Sequence, residues 1–330
     1  MKKMVIVGSE GQDGSMLFDR CSQYGNDVVG LGHSSMRIHS HDNRSLDSIK
    51  ECGSTVDVMD SSSVDRLVGN YQPDEIYYLA AFHQSADAAS LESRMLLDQS
   101  FATHVTGFLN CLEAIRIHSK ETRIFYAASS HVFGDPTTPT LSERSPINPT
   151  CIYGITKAAA THLGRFYRRN HRLFVSIGFL FNHESPRRRP DFLSQRIVRA
   201  AISIKQGTQN SLVLGDLSAT VDWGDAGDTI DAMTRILELD EADDFVVATG
   251  IPHSVKDFVA VAFRAVGLDW ETYVSEDRNI VLKKRAPLIG DATKLYDKTK
   301  WRPTVSFEEM VSELVYCEAI RQKLDLGRDC

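Results

Sequence analysis

Seven residues near the start restrict the fold more than any other feature of the chain. Gly8-Ser9-Glu10-Gly11-Gln12-Asp13-Gly14 follows an apolar run at residues 4–7 and opens a helix-like stretch at residues 14–24. A strand that enters a helix through Gly-x-x-Gly-x-x-Gly can turn tightly, bring backbone N–H groups close to a pyrophosphate, and pack helix on sheet. The helix N-terminus adds partial positive charge aimed at the anion. The turn therefore predicts a dinucleotide-binding start, with Gly8, Gly11, Gln12, Asp13 and Gly14 at the cofactor.

Beyond the turn, the first half of the chain has the period of a parallel sheet. Strand-like segments at residues 27–31, 75–81, 123–128 and 173–181 alternate with helical stretches at about 91–117 and 153–169. Mostly continuous apolar runs fit strands covered on both faces. The expected fold is α/β, a Rossmann-type doubly wound parallel sheet with a smaller mixed α/β substrate lobe. From Asn182 the character changes. Pro186-Arg187-Arg188-Arg189-Pro190 is a basic, Pro-bounded loop that cannot be a regular element. Helices at 192–205, 225–237 and 254–266 and strands at 211–214 and 245–248 come after it. No repeat, low-complexity tract or linker separates the parts. Residues 1–181, with returning segments around 222–250, are expected to form the dinucleotide domain, and residues 182–221 and 251–330 the substrate lobe.

Charge and cysteine content exclude several classes. The chain has 37 Lys and Arg against 44 Asp and Glu, a formal net charge of -7 over 330 residues. Nucleic acid or an anionic membrane would need clustered basic charge. No apolar stretch is long enough for a bilayer, and Met1-Lys2-Lys3-Met4 runs into a strand rather than a signal-peptide core. Six scattered cysteines with no close pair fit reduced thiols in a cytoplasmic protein. His39, His41 and His83 lack companion ligands at useful spacing, so no metal is expected. Most histidines are read as surface or helix-face residues.

The second strand bears on which dinucleotide is held. An NAD site usually places Asp or Glu at its end. Here that end reads Leu31-Gly32-His33-Ser34-Ser35-Met36-Arg37, and the first acid after it is Asp42. Without a carboxylate to repel a 2′-phosphate, and with His33, Ser34 and Arg37 available to it, NADP is favoured over NAD. Asp57 or Asp60 either meets the adenine or caps a helix. Val58, Leu79, Ala80 and Ala81 complete the cofactor candidates.

Tyr153-Gly154-Ile155-Thr156-Lys157 sets a phenol and an ammonium four residues apart on one helix face. The ammonium is expected to stabilise phenolate and draw the Tyr153 pKa down towards that of a general base. Lys157 can also hold the nicotinamide ribose. Ser129, just past the strand at 123–128, can share the proton that Tyr153 moves. Ser, Tyr and Lys in this order behind a glycine turn indicate hydride transfer between a nicotinamide and an alcohol carbon.

These residues resemble the extended short-chain dehydrogenase/reductase family. Gly11-Gln12-Asp13-Gly14-Ser15, Pro73-Asp74-Glu75-Ile76-Tyr77, Asn182-His183-Glu184-Ser185-Pro186-Arg187-Arg188, Asp222-Trp223-Gly224, Ala248-Thr249-Gly250, His253-Ser254-Val255 and Trp301-Arg302-Pro303 look like GDP-mannose 4,6-dehydratases. The resemblance covers nearly the whole chain. It implies that His183 and Arg188 contact NADP and that Asn182 lies near a GDP-sugar; Arg187 and Arg285 are read as substrate contacts able to compensate for a missing phosphate clamp. It also implies a homodimer or homotetramer built through paired helices. Arg187, Arg188 and Arg189 suit phosphate on physical grounds too, as planar donors beside a strand end.

The departures concern the reaction. The family's Thr-Ser-Glu stretch is here Ser129-Ser130-His131, so His131 stands where a Glu serves as the carbon 5 acid/base. An imidazole can accept and return a proton at neutral pH. Val221 replaces the Arg before Asp-Trp-Gly. The later Arg-Pro-Ala-Glu stretch survives as Arg285-Ala286-Pro287, and the Arg pair after the second strand is absent, which counts against NADP. The expected activity is a GDP-sugar 4,6-dehydratase acting through Ser129, His131, Tyr153 and Lys157. The alternatives are a GDP-sugar 4-epimerase, 4-reductase or carbon 4 oxidase that has lost dehydration, and a non-catalytic nucleotide-binding regulator.

Overall fold

Met4, Val5, Ile6 and Val7 are each less than 5% exposed, as a strand covered on both faces must be. They lie in β1 (Lys3–Val7), an inner strand of a seven-stranded sheet. The other strands are β2 (Asp27–Leu31), β3 (Met36–His39), β4 (Glu75–Tyr78), β5 (Arg123–Ser129), β6 (Val175–Leu180) and β7 (Asp244–Val247). The computed structural model describes residues 1–33, 35–40, 55–82, 93–138, 140–280 and 287–326. Across the sheet the order is β7-β6-β5-β4-β1-β2-β3, with Val5 paired to Val29 on one side and Ile76 on the other. All pairings are parallel except β2 with β3.

The helices in chain order are α1 (Gln12–Gln23), α2 (Ser61–Tyr71), α3 (Ser93–Phe101), α4 (Gly107–His118), α5 (Ile152–His171), α6 (Leu193–Lys205), α7 (Ala226–Leu237), α8 (Val255–Ala265) and α9 (Phe307–Arg321), besides shorter turns. α2, α4 and α5 pack on one face of the sheet through Leu67, Phe108 and Ala160. α1 and α7 cover the other through Phe18 and Met233. A separate core joins α6, α8 and α9 through Ile197, Phe258 and Val311. Beside it a small sheet runs Pro252–Ser254, Thr220–Asp225, Asn182–Glu184, with Val221 opposite His253 and Trp223 beside Asn182.

The structure departs from the sequence reading in several places, the three short strands of the small sheet among them. β3 adds an antiparallel edge, and the strand expected at 75–81 ends at Tyr78. The helix expected at 91–117 is interrupted by a π turn, Ala102–Thr106. α2 and α9 are additions to the expected helices. α2 opens on three serines, poor helix formers that gain a start only from Asp60, which caps Ser62 N–H at 3.1 Å. Among the described residues no helix is long and apolar enough to cross a membrane.

Parallel strands end on the same side, so this sheet delivers the turn after β1, Leu79-Ala80-Ala81 after β4, Ser129 at the end of β5 and Phe181 after β6 to one edge. Open α/β sheets bind ligands there.

Candidate active site

The turn is built by close backbone approach. Gly11 N–H donates to the Gly8 carbonyl at 3.0 Å. A Cβ on Gly14 would fall 2.2 Å from the Gly8 oxygen, and one on Gly8 would fall 2.7 Å from Ala80 N. Any side chain at either position would push the helix off the turn or the turn off β4. Gly11 stands at the N-cap of α1 without a side-chain cap, so the first N–H groups of the helix face the sheet edge. That cradle has the shape and donors to suit a pyrophosphate, and the backbone of Leu79 and Ala80 lies against Gly8.

Gln12 and Asp13 tie the cradle to the second half of the chain. Gln12 Nε2 donates to the His183 carbonyl at 3.1 Å, and Ser185 Oγ donates to Gln12 Oε1 at 3.0 Å. His183 Nε2 lies 2.9 Å from Asp13 Oδ2, and His183 Nδ1 lies 2.7 Å from the Phe181 carbonyl. Both partners only accept, so both ring nitrogens carry protons and the ring is an imidazolium. Burial works against this charge, but the Asp13 carboxylate holds the His183 pKa above its ordinary value. Burial likewise opposes the Asp13 charge, yet His183 with Gln12 and Arg188 brings that carboxyl down to about 2.

The three arginines of the loop diverge. Arg187 Nη1 pairs with Asp19 of α1 at 2.7 Å, and Arg189 Nη2 with Asp191 at 2.9 Å. Arg188 turns inward, its guanidinium 3.8 Å from the Phe192 ring centroid and its Nε 3.4 Å from Glu184 Oε2. Arg37 also pairs with Asp19, at 3.2 Å, and lies over Phe18. Asp57 receives Met59 N–H at 2.9 Å in a local turn, and the Val58 carbonyl accepts from Asn110. Asn182 is exposed at the start of its strand. Ser34 and Arg285 lie outside the described residues.

Ser129, His131, Tyr153 and Lys157 meet where β5 ends. Ser129 caps a short 3-10 turn by accepting His131 N–H at 3.3 Å, and its side chain is hydrogen-bonded to Tyr153. The His131 ring stands edge-on to the Tyr153 ring, centroids 5.8 Å apart. Lys157 Nζ donates to the Ala127 carbonyl at 2.7 Å and sits 5.8 Å from the Tyr153 ring centroid. The expected drop in the Tyr153 pKa does not occur in this structure. Burial pushes it up to about 12 against the opposing pull of Arg188 and Ser129. Burial draws Lys157 itself down to about 7, so its charge is weak near neutrality, and its proton is committed to Ala127.

His104, in the π turn, is a site residue that the sequence does not single out. It is fully buried, its ring 5.2 Å from that of Tyr153 and perpendicular to it. Phe82 N–H donates to His104 Nε2 at 2.9 Å, which leaves Nδ1 as the protonated nitrogen. Nδ1 donates to Thr156 Oγ1 at 2.7 Å, and that hydroxyl donates to the Tyr153 carbonyl at 3.0 Å. A lone histidine in a helical stretch carries no periodic signal. Only Thr156, inside the Tyr-to-Lys motif, offers a hint of it. Among the described residues, no group of three or more His, Cys, Asp or Glu side chains could hold a metal ion.

Comparison with known proteins bears on the family and the fold. Residues 5–314 match the family model described as GDP-mannose 4,6 dehydratase. GDP-mannose 4,6 dehydratase 2 of Arabidopsis thaliana is 37% identical over 326 residues, covering 95% of this chain and 86% of that protein. Among solved structures, RMD from Pseudomonas aeruginosa complexed with NADPH superposes with a TM-score of 0.80 at 20% identity, covering 97% of this chain and 99% of the other. dTDP-glucose 4,6-dehydratase from Bacillus anthracis in complex with NAD gives 0.79 at 17% identity, with 98% of each chain covered.

Proposed function

Because the chain belongs to the GDP-mannose 4,6-dehydratase family, we propose that it converts GDP-mannose or a closely related GDP-hexose into the 4-keto-6-deoxy sugar. The observation that carries this reading is the meeting of Ser129, Tyr153, Lys157 and His131 beside the glycine turn. A bound nicotinamide dinucleotide supplies the hydride acceptor at carbon 4 and the hydride donor at carbon 6, with none consumed overall. The family resemblance implies NADP; the choice against NAD is made at the adenosine ribose.

Tyr153, as its phenolate, takes the proton of the carbon 4 hydroxyl and becomes the phenol, with Ser129 sharing the hydrogen bond and Lys157 placed to favour the phenolate beforehand. The resulting ketone acidifies the proton on carbon 5. His131 removes that proton and delivers one to the departing carbon 6 hydroxyl, which leaves as water. His183 and Arg188 hold the dinucleotide, while Asn182, Arg187 and Arg285 serve the GDP-sugar in a lobe formed by residues 182–221 and 251–330. Arg187 is already paired with Asp19, so a diphosphate there would draw on a guanidinium that holds an ion pair.

The test follows the isotope. Carbon 4 deuterium in GDP-mannose should reappear on carbon 6 of the product, with solvent hydrogen entering at carbon 5. His131→Ala should abolish carbon 5 exchange while carbon 4 oxidation persists. Deuterium returning to carbon 4 would instead identify a 4-epimerase, the second reading, which His131 in place of Glu and Val221 in place of Arg favour. Net consumption of reduced dinucleotide would identify a reductase, and dinucleotide binding without turnover on any sugar nucleotide a regulator.

A further inference from the structure

The glycine turn carries one carboxylate with no part in that chemistry. Gly8 and Ser9 both donate to the Leu31 carbonyl, at 2.8 and 3.0 Å, so the turn is strapped across the end of β2. Glu10 comes next and reaches past that strand end. Its Oε2 accepts His33 N–H at 3.0 Å, and its Oε1 accepts the Ser35 hydroxyl at 2.5 Å. Gly32 lies against it: a Cβ on Gly32 would fall 2.3 Å from both Cδ and Oε1 of Glu10. The Glu10 carboxylate thus fills the volume where a side chain at residue 32 would begin. Residue 32 is the first after β2, the place from which a dinucleotide fold ordinarily presents the acid that binds ribose hydroxyls.

Resting on the dinucleotide reading of the turn, we propose that Glu10 selects the cofactor: supplied by the phosphate turn instead of by β2, its carboxylate receives the adenosine 2′-hydroxyl of NAD and repels the 2′-phosphate of NADP. The acid whose absence after β2 points to NADP in the sequence is present in space, 22 residues earlier in the chain. The guanidinium nominated for a 2′-phosphate is engaged elsewhere. Arg37 pairs with Asp19, and Arg187 pairs with the same carboxylate. A carboxylate with several acceptor sites suits a vicinal hydroxyl, while a dianion beside it suffers direct repulsion. Glu10 also has a plain structural reading, as a brace for the loop after β2, and the test separates the two.

Protein stripped of nucleotide is titrated calorimetrically with NAD and with NADP, for the wild type and for Glu10→Gln, which keeps the size and removes the charge. The expected result is that the wild type binds NAD at least about tenfold tighter than NADP, a preference that shrinks as salt screens the repulsion. Glu10→Gln should narrow the ratio by about tenfold, through tighter NADP binding. Wild-type protein that prefers NADP, or binds both equally, overturns the proposal whatever the variant does. So does a variant that weakens both dinucleotides alike, the mark of a brace. Binding of neither dinucleotide by the wild type would instead overturn the nucleotide reading of the turn on which this rests. The dinucleotide released when the freshly purified protein is denatured should be NAD; release of NADP counts against Glu10 in the same way.

Discussion

At the scale of single residues, the site is a contest between burial and charge. Tyr153 is driven towards its protonated form and Lys157 towards its neutral form, so the resting pair carries less charge than the motif suggests. Removing the phenol should cost turnover and little else: Tyr153→Phe is expected to lower kcat by about 10²–10⁴-fold with dinucleotide affinity nearly unchanged. Wild-type turnover in that variant would remove the basis of the mechanism. Lys157 makes a converse prediction. Its pKa falls from 10.5 to about 7 on folding, so below pH 7 its burial opposes folding, and that penalty fades as pH rises towards 10.5. Lys157→Met should therefore be inactive yet more stable at neutral pH, by about 1–3 kcal/mol in urea denaturation, with the gain shrinking above pH 9. A less stable variant would mean that the bond to Ala127 outweighs desolvation. Ser129, Tyr153 and Lys157 are legible in the sequence as chemical types at fixed spacing. Their protonation is not, because it depends on what encloses them, and His104 is invisible there for the same reason.

At the scale of elements, one carboxylate holds separate segments to the small sheet by gathering their backbone donors. Asp222 is buried and accepts N–H bonds from Thr249, Gly250 and Gly290, each at 3.0 Å, plus the Thr249 hydroxyl at 2.6 Å. It pins the loop after β7 and a segment near residue 290 to the small sheet. Asp222→Ala leaves those donors without an acceptor and should cost about 3 kcal/mol, measured as a shift in the denaturation midpoint. A loss under about 1 kcal/mol would show that water replaces the carboxylate with little penalty. The Asp-Trp-Gly and Ala-Thr-Gly segments stand out in the sequence as family motifs, but nothing local announces that one motif's acid holds the other's backbone. Strand and helix periods make most of the central sheet legible. They fail at β3, whose antiparallel pairing with β2 is a tertiary choice, and at α2, where Asp60 supplies what three serines lack.

At the scale of the molecule, the first and second halves of the chain are joined through the glycine turn after β1. Asp13 and His183 are 170 residues apart in sequence and 2.9 Å apart in space. The sequence points to each of them separately, as a cofactor contact, and offers no means of pairing them. The pair makes the stability of the whole dependent on pH in a defined window. Asp13 has a folded pKa of about 2 against 3.8 unfolded. Its contribution, about 2 kcal/mol, is complete above pH 3.8 and disappears as pH falls through 2. His183 is shifted the other way, above 6.5, so its contribution is complete below pH 6.5 and is lost as pH rises through the folded value. Both are present together only between about pH 4 and pH 6.5. Asp13→Asn should consequently destabilise the protein most in that window, and the gap from wild type should close on the acid side and again on the alkaline side. The same substitution removes the carboxylate that raises the Lys157 pKa, so that ammonium should become still easier to deprotonate. Urea midpoints of wild type and Asp13→Asn measured from pH 3 to pH 9 decide it. A stability gap that is flat with pH would mean that Asp13 acts through its hydrogen bonds alone. A gap that widens above pH 7 would mean that His183 is neutral when bound to it.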